Sequence, residues 1–145
     1  MDNNGKIVSV DYVFASDVKT AAILSKGIAL SIASGRGWKN LPASPGRIEI
    51  VVVENKQNGL STYPVSGTIY CPRFQFDHYT DMVQLKARRI LLKYTTANGD
   101  VLVVGDKQNP ITVTAEQLNP ASATGYCGVK FTLSGTMTHS ELPLL

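Results

Sequence analysis

The sequence predicts an all-β domain, an antiparallel sandwich or barrel of about seven or eight strands, with one short helix near 80–86. Three observations carry this. Apolar and polar residues alternate at period two through most of the apolar stretches. Clusters of Gly, Pro, Asn and Asp recur every ~8–12 residues between them. The stretch Arg88–Val104, RRILLKYTTANGDVLVV, reads as two strands joined at Asn98-Gly99, a dipeptide suited to a tight turn with positive φ at its central residues.

Taken in order, Lys6–Ala15 opens the fold, with Val8, Val10, Tyr12 and Phe14 on one face and Ser9 and Asp11 on the other. Ser16-Asp17 marks a turn. Val18–Ile32 is mixed. Gly27 interrupts any helix, and Ile28, Leu30 and Ile32 alternate, so a loop or short strand followed by a strand at Ile28–Ala33 is expected. Ser34–Gly46 holds three glycines and two prolines and reads as a long loop. Trp38 and Leu41 are expected to pack it down, with Arg36 and Lys39 facing outward.

Arg47–Asn55 is a strand with Ile48, Ile50 and Val52 on one face. Glu49, Val51 and Val53 make a second face that is only partly polar, which suggests covering on both sides. Asn58-Gly59 turns the chain into Ser61–Cys71, where Tyr63, Val65, Ile69 and Cys71 are in phase. Pro64 must sit where no ladder N–H is needed, and Gly67 is expected to mark a bulge. Tyr79–Lys86 carries Tyr79, Met82 and Val83 at i, i+3 and i+4, as a short helix capped by Thr80 would, with a strand continuing into Arg88 as the alternative. After the hairpin, Ile111–Gln117 presents Ile111, Val113 and Ala115 inward. Tyr126–Met137 presents Val129, Phe131 and Leu133. The chain ends on Glu141–Leu145, apolar at Leu142, Leu144 and Leu145, a contact surface for its own domain or for a partner.

Length and composition set bounds on function. At 145 residues the chain is a single domain, 1–145, able to build a sizeable core. Charged residues make up 17% and the net charge is +3, too mild and too dispersed for a dedicated nucleic-acid binder. No apolar run is long enough for a transmembrane helix, and MDNNGKIVSV lacks a secretory apolar segment, so the expectation is assembly in a cytoplasm without membrane contact. Cys71 and Cys127 lie in no metal-ligand spacing and read as buried thiols. SGRGWKN lacks the GxxxxGK[ST] phosphate loop, and no GxSxG elbow is present. No catalytic, cofactor-binding or metal-binding residue is assigned, and no enzymatic activity is expected. An enzyme would require a deep pocket with His78 or His139 beside an acid.

The segment LKARRILLKYTTANGDVLVVGDKQNPITVTAEQL, followed by GYCGVKFTLSGTMTH, resembles a set of small structural proteins of tailed bacteriophages and prophages of Bacteroidetes-type hosts. The shared pattern is a short helix, an arginine pair, an apolar strand, an Asn-Gly turn, a strand ending in Gly, a Pro-containing turn and a final Gly-Tyr strand. It spans roughly Leu85–His139, with a weaker echo over Leu41–Pro72. The resemblance implies a virion protein of the neck (the head–tail connector) or tail, forming a homo-oligomeric ring against other neck or tail proteins, with no cofactor and no catalytic residues. On that expectation Trp38, Leu41, Leu142, Leu144 and Leu145 are candidates for subunit contact. Arg36, Lys39, Arg88 and Arg89 are candidates for facing packaged DNA. The alternative is a carbohydrate- or receptor-binding sandwich on a virion or cell surface, which requires exposed aromatic residues in a cleft.

Overall fold

The computed structural model describes residues 6–35, 37–43, 47–71, 85, 87–118 and 128–145. Among them are twelve strands: β1 (Ile7–Phe14), β2 (Val18–Leu24), β3 (Gly27–Ile32), β4 (Lys39–Leu41), β5 (Ile48–Val52), β6 (Asn55–Gln57), β7 (Leu60–Cys71), β8 (Ile90–Thr96), β9 (Val101–Val104), β10 (Thr112–Leu118), β11 (Gly128–Met137) and β12 (Leu142–Pro143). They form two antiparallel sheets, ordered β12-β9-β8-β1-β4 and β10-β11-β7-β5, with β6 also paired to β7 and with β2–β3 as a separate hairpin. The architecture is a sandwich, not a closed barrel. The sheets touch at one corner, where Ile90 and Ile111 exchange backbone hydrogen bonds at 2.9 and 2.7 Å.

Alternation explains the core. Val10, Tyr12, Phe14, Ile90, Leu92, Tyr94 and Val104 of the first sheet meet Val65, Ile69, Cys71, Val113, Val129, Phe131 and Leu133 of the second, and all are buried. Every one of these inward residues lies in phase along its own strand. A second, smaller cluster lies on the outer face of the first sheet, where Val13, Val18 and Leu91 are covered by Leu30, Ile32 and Trp38. The base of the β2–β3 hairpin therefore roofs the first sheet.

Four strands exceed the expected seven or eight. They are β2, β4, β6 and β12, and each is held by pairing with a distant or adjacent strand more than by its own pattern. The Ser34–Gly46 stretch is not one long loop, since β4 pairs with β1 through Val10–Leu41, Asp11–Asn40 and Tyr12–Lys39. Val8 does not share the Val10 face. The register between β1 and β8 slips between Ile7 and Ser9, so Val8 bulges outward and Ile7 packs on the core instead. Gly67, expected at a bulge, sits in regular pairing with Ile50 and Leu133. A Cβ there would lie 2.3 Å from the Glu49 carbonyl oxygen, so the strand needs glycine for close approach. Pro64 falls between the β6 pairing that ends at Thr62 and the β5 pairing that begins at Val65.

Asn58-Gly59 closes β6 onto β7 with φ of 53° and 79°, the two-residue turn its dipeptide suits. The turn after β8 differs from the expected two-residue form. Gly99 N–H donates to the Thr96 carbonyl (3.0 Å) and only Gly99 of the pair has positive φ, a three-residue loop with glycine in the left-handed position. The helix expected near 80–86 falls almost wholly outside the described residues. Leu85 and Ala87 at its end are helical, and Leu85 is buried in the core. Cys127 also lies outside the described residues, while Cys71 is a free, buried thiol.

The strand orders define two flanks. β9 leads into β10 through residues 105–111, so β12, β9 and β10 lie on one flank, and β4 and β5, at the far edges of their sheets, lie on the other. The chain end ties the hairpin to the β12 flank. Leu142 pairs with Val103, Leu144 N–H donates to the Val101 carbonyl (3.1 Å), and Leu145 N–H donates to the Ile28 carbonyl (3.0 Å).

Candidate assembly surface

The hairpin is held at its base and, through Gly27 and Ile28 of β3, at its tip, while β2 stays bare beyond the Lys19 carbonyl. Val18 and Ile28 are buried, and Ala33 N–H donates to the Asp17 carbonyl (2.8 Å). From Lys19 to Leu24 every residue is exposed, and Ile23 and Leu24 each keep 54% of their surface. The run Thr20–Ser25 contains no charge and no proline, the two features that normally protect an open strand edge. β2 pairs only with β3 among the described residues.

Beside β2 lies a groove of about 320 Å³, lined by Lys19, Thr20, Ala21 and Ile23 on one side and by Asp106, Lys107 and Gln108 on the other. Its far wall is a rigid turn. Asp106 Oδ1 accepts from the backbone N–H groups of Gln108 (2.8 Å) and Asn109 (2.7 Å), and Lys107 Nζ donates to the Lys19 carbonyl (2.8 Å). Asp106 Oδ2 lies 2.9 Å from His139 Nε2, and His139 Nδ1 lies 2.7 Å from the Ser140 carbonyl. Histidine thus does stand beside an acid, as an enzyme would need. Both ring nitrogens are already engaged with oxygen acceptors, however, and His139 does not line the groove. The pair reads as a brace for the β9–β10 turn rather than as a base with a free nitrogen. Burial pushes the Cys71 thiol up to about 12, which leaves it protonated and unsuited to nucleophilic attack. Among the described residues no group of three or more His, Cys, Asp or Glu could hold a metal ion, and no helix is long and apolar enough to cross a membrane.

A second apolar surface lies on the β5 flank. Val51 and Val53 are exposed together with Glu49, and Leu60, at the β6–β7 turn, keeps 73% of its surface. The partly polar face noted in the sequence is therefore bare within the single chain.

The candidate contact residues are distributed unevenly. Leu41 is buried in the core and Trp38 is half-buried over Val13 and Leu91, so both are occupied by their own domain. Leu142 and Leu144 are half-buried in the strap that holds the hairpin, and Leu145 keeps 57% of its surface. Two of the candidate cations are brought together. Lys39 Nζ lies 5.3 Å and the Arg88 guanidinium 3.9 Å from the Phe14 ring centroid. Arg88 also reaches Ser16 Oγ and stands 4.0 Å from Asp17 Oδ1. Arg89 is exposed beside them, and Arg36 lies outside the described residues. Lys93, not singled out from the sequence, lies on the opposite, outer face of the first sheet, 4.9 Å from the Trp38 ring and 3.5 Å from Asp11.

Among the described residues Trp38, Tyr63 and Tyr70 are half-buried aromatics. Tyr12, Phe14, Tyr94 and Phe131 are buried, and no aromatic residue lines the groove. Sequence reasoning left β2 open between a loop and a short strand. Its signal was the uncharged run from Thr20 to Ser25, in a chain whose other apolar segments alternate with polar residues. Compared with family models, curated proteins and solved structures, the chain finds no significant match.

Proposed function

We propose that this chain is a structural subunit of a tailed-phage virion, forming a ring in the neck or tail through subunit–subunit contacts. The observation that carries the reading is the bare edge of β2, uncharged from Thr20 onward, on the outside of a sandwich with its own buried core. Such an edge is a template for pairing with another chain, and a protein that keeps it has a use for it. The exposed apolar residues of the β5 flank supply a second surface. Two different surfaces on opposite flanks suit head-to-tail contacts, which close into a ring when the rotation between neighbours closes. The virion assignment comes from the resemblance of Leu85–His139, and its neighbours would be other neck or tail proteins. Lys39, Arg88 and Arg89 form the patch that would face packaged DNA, through sequence-independent contacts to phosphate.

Electron microscopy of the purified chain tests this. Closed rings with a central opening are expected, and antibodies to the chain should decorate the head–tail junction or the tail of intact particles. A chain that stays monomeric at high concentration and is absent from particles would defeat the proposal.

A further inference from the structure

We infer that the contact between neighbours is a strand pairing in which β2 of one subunit adds to the β5 edge of the next copy of the same chain. This rests on the ring reading and names its interface. Both strands have an open side, since β2 pairs only with β3 and β5 only with β7 among the described residues. Both present exposed branched residues, Ile23 and Leu24 on the arm and Val51 and Val53 on the edge. Both belong to opposite flanks, so one subunit offers its arm where the next offers its edge.

Charge selects this pairing over arm against arm. Residues 18–32 contain Lys19 and Lys26 and no acid. β5 carries the exposed Glu49, while Glu54 beyond it is paired with Lys56 (3.4 Å) and Arg47 before it lies over the Tyr70 ring at 5.5 Å. A cationic arm meeting Glu49 is complementary, whereas two cationic arms repel. Backbone hydrogen bonds along the added strand would supply affinity, and the valines and the Ile23–Leu24 pair would exclude water from the contact.

Cross-linking tests the contact. Paired strands lie about 4.7–4.9 Å apart, within disulfide reach. Ala22→Cys and Val51→Cys are made separately and together in a Cys127→Ser background, where the remaining Cys71 is buried. The inference predicts that oxidation links a mixture of the two single variants, drives the double variant into a ladder, and leaves each single variant alone unlinked. Because register affects which pairs link, Leu24→Lys and Val51→Lys provide a second measurement. Each places a charge on an exposed site, and each should weaken assembly about tenfold or more while leaving the fold intact. Disulfides formed by Ala22→Cys alone would show arm-to-arm pairing and overturn the inference. Oligomers that neither cross-link nor respond to either lysine would overturn it while leaving the ring reading in place. A monomeric parent protein would remove both.

Discussion

Replacing Phe131 with alanine is expected to cost about 3–5 kcal/mol of unfolding free energy. Phe131 stands at the centre of β11, opposite Ala115 on β10 and Ile69 on β7, and has 0% of its surface exposed. It belongs to the one buried cluster to which the other sheet contributes Val10, Leu92 and Val104. Its removal takes away transfer free energy and leaves a cavity that two hydrogen-bonded sheets cannot close. Domains of this size carry about 5–15 kcal/mol in total, so the variant should sit near the edge of folding at physiological temperature. Thr132→Ala, one residue along and on the solvent face, should stay within about 0.5 kcal/mol of the parent. Urea titration of the two variants measures the contrast. A Phe131→Ala midpoint close to that of Thr132→Ala would mean that the core does not lie between these sheets.

Gly27→Ala is expected to detach the chain end from the hairpin. Gly27 has a φ of +154°, and a Cβ built on it would lie 2.2 Å from the Pro143 carbonyl oxygen. Backbone strain of this kind costs about 1–3 kcal/mol, and relief is available only by moving the strap. The Leu145–Ile28 hydrogen bond and the Ile28–Leu144 bridge would then be lost. Gly59→Ala is the control, because Gly59 also has positive φ (+79°) but nothing lies within 4 Å of its Cβ position. It should cost about 1–2 kcal/mol from conformation alone and leave the chain end in place. Carboxypeptidase digestion reads the difference. Leu145 and Leu144 should be released much faster from Gly27→Ala than from Gly59→Ala, and equal rates would show that the strap is not held at Gly27.

The two substitutions probe parts of the molecule that were unequally legible in the sequence. Phe131 was readable because β11 alternates cleanly, with Val129 and Leu133 in phase and Lys130 and Thr132 out of phase. The same holds for β5, β7 and β10, each of which has one face on the core and one toward solvent. The strap was not readable. Leu142–Pro143 is too short to show a period, and its partners Val103 and Leu102 lie about forty residues away. The Asp106–His139 brace is hidden by a similar separation. β2 stayed open between loop and short strand for a different reason: strand periodicity records a buried face, and beyond Val18 this strand has none. Val8 and Gly67 show two further limits. A one-residue slip in pairing turns an in-phase valine outward. A glycine in a strand carries the same letter whether it marks a bulge or a close approach.

The central claim is that β2, bare in the single chain, is covered when the chain assembles. Amide hydrogen exchange over Lys19–Leu24, measured in the assembled protein and again after dilution to the monomer, tests it most directly. The amides of β2 that point away from β3 should exchange slowly in the assembly and quickly in the monomer, while those of β8 and β11 stay slow in both. Rapid exchange of those β2 amides in an intact oligomer would contradict the account.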